Sequence, residues 1–272
     1  MSLRQGYTDV ANVGIHGENT EGEIEMLSAE IKTENLKTIV NVISTLIDEV
    51  KFTISREGMV LKAVDPAHVA MIEMDIGSGA FDKYSYDSEE DFFDIGMDLE
   101  KIKAIIKLAS LGDAIKLSMD PKTGKAVFSI GTITRSMNLV DASGIMTPKV
   151  PNLNLSSNVT VMAEYLQKGV RAAESISDHI AIDLNGNEFR LSCSGDTDDA
   201  RLELSGDEIL SIEVAGPIRS LFPLDYFSNL IKAVPASTEV TLELETNNPV
   251  RLRFTLADGN VSVAYFLAPR IE

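Results

Sequence analysis

A few short stretches of this 272-residue chain hold residue types that could do chemistry. Asp65-Pro66-Ala67-His68 sets a carboxylate close to an imidazole, the pairing that general acid–base catalysis uses. A hydrolytic centre would also need a nucleophile and an orienting group, and no GxSxG elbow accompanies the pair. Asp178-His179 brings the same two groups together in what reads as a turn. Asp196-Thr197-Asp198-Asp199 resembles half a calcium loop, but the glycine and closing glutamate of that loop are missing. Cys193 is the single cysteine and falls inside an alternating strand pattern, where a small buried hydrophobe fits. One cysteine excludes a disulfide framework within the chain and suits a reducing compartment. Paired-cysteine, HExxH, Walker and dinucleotide fingerprints are absent. The residues therefore support no catalytic centre, no cofactor and no metal.

The elements that carry these stretches are more informative. Leu46–Asp65, LIDEVKFTISREGMVLKAVD, runs from the end of an amphipathic helix through an acidic turn into strand, turn and strand. The unit recurs at Leu108–Ile130, Glu174–Asp196 and Val234–Gly259. With Asp48, Asp113, Asp178 and Glu239 as markers, the steps are 65, 65 and 61 residues. A near-constant period is a statement about architecture. Val50, Phe52 and Ile54 alternate with polar residues, as do Ile115, Leu117 and Met119, then Ile180, Ile182 and Leu184, then Val240, Leu242 and Leu244. Alternation gives each strand one buried and one wet face. Arg56-Glu57-Gly58, Pro121 to Gly124, Asn185-Gly186-Asn187 and Asn247-Asn248-Pro249 supply the turns.

A helix-period segment precedes each hairpin. Its apolar stripe is Leu36, Ile39, Val40, Ile43; then Leu99, Ile102, Ile105, Ile106; then Leu166, Val170, Ala173; then Tyr226, Phe227, Leu230, Ile231. Thr33 and Asp98 are the expected N-caps. Each helix should run roughly 12 residues, or about 18 Å. The fold class that follows is α+β, built from helix–hairpin repeats.

Length and a hydrophobic content of 44% allow one large domain or two ordinary ones with ample core. Residues 1–25 are polar, bear glycine and lack an apolar core, so they read as a disordered extension and not as a secretory signal. The sequence Asp141-Ala-Ser-Gly-Ile145-Met146-Thr-Pro148-Lys-Val-Pro151 has no periodicity and separates two pairs of repeats. The expected division is 26–140, a connector at 141–152, and 153–272. Gly77–Glu90 reads as a polar loop anchored by Phe81, Tyr84 and Tyr86. No apolar run spans a bilayer, and a cytoplasmic location is expected.

Net charge is −18, which on its face repels nucleic acid. Screening beyond roughly 8 Å makes the distribution matter more than the sum. The helices' polar faces concentrate cations: Lys37; Lys101, Lys103 and Lys107; Lys168 and Arg171; Lys232. Most helical acids sit near N-termini, where they favour the dipole.

Taken in order, LIDEVKFTISREGMVLKAVDPAHVAMIEMDI, GMDLEKIKAIIK, SDHIAIDL, GDTDD, LDYFSNLIKAVP and the ending YFLAPRIE resemble the sliding clamps of the proliferating cell nuclear antigen (PCNA) type, of the archaeal sort. The resemblance spans about Met26 to Glu272 and implies a DNA clamp fold. A homotrimeric ring would enclose duplex DNA without reading its sequence, with four helices per chain lining the hole and antiparallel sheets outside. It further implies a processivity factor for replication and repair, non-enzymatic and nucleoid-associated. Its partners would be DNA polymerase, clamp loader, ligase and nuclease, held through short peptides, with no membrane involved.

Carried over residue by residue, the DNA-facing cations are Lys37, Lys103, Lys107, Lys168, Arg171 and Lys232. The partner-peptide pocket is Val64, His68, Val69, Ile145, Met146, Pro249, Phe266, Ala268 and Pro269. The subunit interface pairs the strand of Ile133, Arg135, Met137 and Leu139 with that of Ala200, Leu202 and Leu204 in the next copy. The N-terminal extension has no counterpart in the family, and Gly144 and Pro148 stand where its connectors are more acidic and aliphatic. The competing expectations are a specialised subunit of a heterotrimeric clamp and a metal-dependent hydrolase using Asp65, His68 and Asp196–Asp199.

Overall fold

The computed structural model describes residues 26–271, so the extension expected at 1–25 lies outside it. The first half runs β1 (Leu27–Lys32), α1 (Thr33–Ile43), β2 (Glu49–Ser55), β3 (Gly58–Val64), β4 (Ala70–Gly77), β5 (Lys83–Tyr86), β6 (Phe92–Asp98), α2 (Leu99–Ile106), β7 (Ala114–Asp120), β8 (Lys125–Ile130) and β9 (Ile133–Asn138). The second half repeats that order with β10 (Ser157–Met162), α3 (Ala163–Ala173), β11 (His179–Asn185), β12 (Glu188–Ser194), β13 (Asp199–Leu204), β14 (Ile209–Glu213), β15 (Ile218–Pro223), α4 (Leu224–Ala233), β16 (Glu239–Leu244), β17 (Val250–Leu256) and β18 (Val261–Leu267). The fold is α+β with two similar domains.

Among the described residues all strand pairing is antiparallel, in three sheets. One has nine strands, ordered β14-β10-β16-β17-β18-β4-β3-β2-β6, and crosses from one domain to the other where β18 meets β4. That junction pairs Val261 with Ile76 and runs through to Leu267 with Ala70. The second sheet, β5-β1-β7-β8-β9, has five strands and the third, β13-β12-β11-β15, has four. Strands β9 and β13 are therefore open edges.

The two domains match down to single hydrogen bonds. Thr33 donates its N–H to Asp113 O at 3.0 Å, and Ala163 to Thr238 O at 2.8 Å. Leu99 donates to Asp48 O, and Leu224 to Asp178 O, both at 2.9 Å. Val140 crosses to Gly96 O at 2.8 Å, and Arg270 to Leu221 O at 2.7 Å. Three of the four acidic markers thus act through their backbone carbonyls, which occupy orphan N–H groups at helix starts. In the fourth repeat the acceptor is Thr238, one residue before Glu239.

The helices form a row, α2-α1-α4-α3, each packed on the next. Their apolar stripes are buried: Ile39, Val40 and Ile43 of α1; Leu99, Ile102, Ile105 and Ile106 of α2; Leu166 and Val170 of α3; Phe227, Leu230 and Ile231 of α4. Helix α2 has only 8 residues, shorter than the spacing suggested, because the chain turns after Ile106. Asp98 caps it, accepting from Lys101 N at 3.0 Å. Thr33 lies inside α1, and its hydroxyl donates to Asp113 O at 2.8 Å.

Two strands depart from the sequence reading. The expected loop Gly77–Glu90 contains β5, which pairs with β1. Two of the aromatic anchors, Tyr84 and Tyr86, thus belong to a strand, and the Tyr84 hydroxyl donates to Ser55 O at 2.7 Å. Strand β15, absent from the reading, pairs with β11 and leads into α4. Gly96 is demanded by close approach: a Cβ there would lie 2.4 Å from Val140 O.

Candidate nucleic-acid and partner-binding surfaces

The pair that first suggested catalysis has a structural task. Asp65 is buried, at 3% exposure. Its Oδ1 accepts from Val69 N at 2.7 Å and Ala70 N at 2.6 Å. Its Oδ2 accepts from Ala67 N at 2.9 Å and from the Tyr226 hydroxyl at 2.8 Å. Burial pushes the carboxyl up, but these donors outweigh it and hold it below the usual range. The bond to Asp65, then burial, pushes the Tyr226 phenol up to about 12. Every oxygen of Asp65 is thus committed to its own turn and to the other domain. His68 sits on that turn, exposed and at φ 57°.

The other candidates fare similarly. The His179 ring meets the Arg270 guanidinium. Asp196 and Asp198 are exposed on a turn closed by Gly195 N donating to Asp198 O at 2.8 Å, and Asp199, also exposed, begins β13. Cys193 is buried. Among the described residues, no cluster of three or more His, Cys, Asp or Glu is arranged to hold a metal.

The helix row presents the cations expected there. Lys37, Lys107 and Arg171 are exposed, with no ion pair among the described residues. The other three are partnered. Lys103 bonds Glu100 at 2.7 Å, and Lys168 reaches Glu164 at 3.4 Å while sitting 5.0 Å from the centre of the Tyr165 ring. Lys232 pairs with Glu174, which also accepts from the Ser228 hydroxyl at 2.5 Å. The hydrogen bond from Lys232, then that from Ser228, holds the Glu174 carboxyl below its usual range. Glu174 follows the last turn of α3, where the dipole disfavours an acid. Its partners on α4 lie far along the chain, so sequence reasoning did not connect them.

On the nine-stranded sheet's other face, register aligns Val64, Met71 and Phe266, then Arg251 and Glu243. Phe266 and Met71 are buried at 4% and 7% yet lie outside the helix-side core. Beside them, Ala268 N donates to Val69 O at 2.9 Å. Val64, Val69, Pro249, Ala268 and Pro269 are half-buried around this apolar end of the row. On the connector, Ile145 is half-buried and Met146 is 77% exposed. Met71 was missed by sequence reasoning; its place beside Val64 and Phe266 is a matter of register, which one strand's alternation does not reveal.

At the open edges, Ile133 and Arg135 of β9 are exposed, Ala200 and Leu202 of β13 are half-buried, and so is Leu139. Met137 and Leu204 are buried within their own domains.

Comparison with known proteins bears on these surfaces. A family model described as proliferating cell nuclear antigen, N-terminal domain, matches residues 26–139, and its C-terminal counterpart matches residues 149–270. The chain is 38% identical over 248 residues to a protein of Methanosarcina acetivorans named DNA polymerase sliding clamp, covering 91% of this chain and 99% of that one. A protein of the same name from Natronomonas pharaonis is 36% identical over 250 residues, with the same coverage. Among solved structures, A. fulgidus PCNA bound to the C-terminal region of FEN-1 superposes with a TM-score of 0.84 at 32% identity, covering 91% of this chain and 99% of that one. PCNA from Thermococcus kodakaraensis shares the fold, with a TM-score of 0.82 at 21% identity and coverage of 90% and 100%.

Proposed function

The chain belongs to the proliferating cell nuclear antigen family, and we propose that it works as a DNA sliding clamp whose three copies close into a ring. The relatives named DNA polymerase sliding clamp support that function. The observation that carries the ring is the match between an internal junction and two free edges. Within the chain, five strands of one domain and four of the other join at β18 and β4 to make nine. The remaining five-stranded and four-stranded sheets end at β9 and β13, the counterparts of β18 and β4. Pairing β9 of one copy with β13 of the next repeats the same nine-stranded sheet and hides both edges.

The internal register then sets the external one. Ile133 faces Leu202 of the neighbouring copy, Arg135 faces Ala200, and Ser136 faces Asp199. Met137 and Leu204 contribute backbone, since their side chains serve their own cores.

In the ring the helix row faces the hole. Lys37, Lys107 and Arg171 meet phosphates directly, and Lys103, Lys168 and Lys232 do so by exchanging their carboxylate partners. Such contacts read no bases, so the ring slides. Val64, Met71, Phe266, Ala268, Pro269, Val69, His68 and Pro249, with Ile145 and Met146 of the connector, receive a short peptide with aliphatic and aromatic anchors. Polymerase, clamp loader, ligase and nuclease are its carriers; the FEN-1 segment bound to the A. fulgidus relative supports the nuclease. The domains are 26–140 and 153–272, joined by 141–152. The chain tethers enzymes and performs no catalysis of its own, in the cytoplasm at the nucleoid. No helix of the described residues is long and apolar enough to cross a membrane.

Sedimentation tests this reading. The purified chain should sediment at about three times its 29.6 kDa. A monomer at micromolar concentration that trimerises only with a sister chain would favour the heterotrimeric subunit. A monomer under all conditions would overturn the ring.

A further inference from the structure

Resting on that ring, we propose that the subunit joint carries a second contact zone on its helix side, in which Lys101 meets the Gly195–Asp198 turn of the neighbouring copy and Leu111 packs on its Tyr165. The occupant of each surface is thus another copy of this chain.

The domain joint inside the chain is the template. There α4 lies beside α1, and Tyr226 of α4 reaches across to the Asp65 turn at 2.8 Å. The matching hydrogen bonds carry this geometry to the subunit joint. Helix α2 stands for α4 and α3 for α1, because Leu99 and Leu224 begin their helices identically, as do Thr33 and Ala163. Lys101 then occupies the place of Tyr226. The turn that Asp65 opens, with Asp65 N donating to Ala70 O at 3.0 Å, corresponds to the turn closed from Gly195 to Asp198 at 2.8 Å. That turn has lost the buried carboxylate and instead exposes Asp196 and Asp198. A phenol–carboxylate bond within the chain is thus replaced by opposite charges between copies. In a single copy Lys101 pairs, among the described residues, with the Asp98 carboxylate of its own helix start alone, at 3.2 Å.

The same mapping explains an oddly placed leucine. Leu111 is 88% exposed, on the turn after α2. Its counterpart after α4 is Ala236. Opposite, Tyr165 and Lys168 of α3 stand where α1 has Asn35 and Thr38. At the domain joint Asn35 and Thr38 line a polar groove of about 600 Å³ with Pro235, Ser237, Thr238 and Glu239 of the turn that holds Ala236, and with Thr255–Gly259. At the subunit joint the turn bordering that space carries a leucine and the helix opposite carries a tyrosine. Removing an exposed leucine from water against an aromatic ring favours association, and the zone is continuous with the β9–β13 pairing.

The test is the trimer dissociation constant of the full chain by sedimentation equilibrium at low and high salt. Lys101→Glu should weaken association about tenfold at low salt and less at high salt. Adding Asp196→Lys and Asp198→Lys to it should restore association. Leu111→Ser should weaken association about tenfold regardless of salt, an effect lost when Tyr165 is already alanine. All these side chains are exposed or half-buried in one copy, so thermal unfolding of the variants should match the parent at concentrations where both are dissociated. Should the parent trimerise while Lys101→Glu and Leu111→Ser leave the constant unchanged, the contact zone is overturned and the ring stands. Weakening by Lys101→Glu that the aspartate reversals do not restore would overturn the ionic half. A parent that never associates removes both.

Discussion

An Asp65→Asn substitution probes the turn that ties the domains together. The carbonyl oxygen that the new amide keeps can still accept from Val69 and Ala70, now without a full charge. The other oxygen becomes an NH2 group, a donor aimed at the Ala67 N–H. Tyr226 can turn to accept from it; the N–H cannot. One half-buried donor loses its partner at a cost of about 1–2 kcal/mol, and the weakened charge-assisted bonds add about 1 kcal/mol. A total of about 3 kcal/mol lowers the Tm by roughly 6–10 °C for a chain of this size. Tyr226→Phe removes only the interdomain bond, at about 1–2 kcal/mol. Because both act on one hydrogen bond, the double variant should lose less than the sum of the two, by about 1 kcal/mol.

The pH dependence follows from the shifted groups. Asp65 titrates below its unfolded value, so its contribution is present at neutral pH and is lost as the solution is acidified through the folded value. Tyr226 is raised to about 12, so its contribution is intact below its unfolded value of about 10 and disappears as pH climbs through 12. The Tm gap between parent and Tyr226→Phe should therefore be constant near neutrality and close between those limits. Additive losses, or a gap that persists above the raised phenol value, would refute the assignment of this hydrogen bond as one of the interdomain ties.

Other surfaces give separate tests. Lys107→Glu with Arg171→Glu should weaken DNA loading and polymerase stimulation while the trimer survives; normal stimulation would remove these residues from the DNA face. Glu174→Gln frees Lys232, so DNA affinity should rise and log K should fall with log salt more steeply, by up to about 1 unit per subunit. Met71→Ala should weaken binding of a partner peptide about tenfold in a fluorescence titration without altering sedimentation. Gly96→Ala drives a Cβ to within 2.4 Å of Val140 O and should cost about 2 kcal/mol in denaturant unfolding.

Local order was legible in the residues themselves. Strand alternation, the four helix stripes and the helix–hairpin period depend on neighbours two to four positions apart, and a sequence displays those directly. Recognition of the clamp family came from motifs of the same local kind. Strand β5 escaped because Lys83–Tyr86 is too short for its alternation to stand out, and β15 because it follows Ala215-Gly216-Pro217, which reads as a loop. What the tertiary structure alone decided are the meetings between distant segments. The sequence withheld a catalytic role from Asp65 but offered no other; its task depends on Tyr226, 161 positions away, and on three N–H groups that meet its oxygens. Met71 joined Val64 and Phe266 only through register, and Glu174 became the counter-charge of Lys232 only because α3 packs on α4. Periodicity says which face of an element turns inward; which other element waits there is set by chain closure over many residues, and no local pattern encodes it.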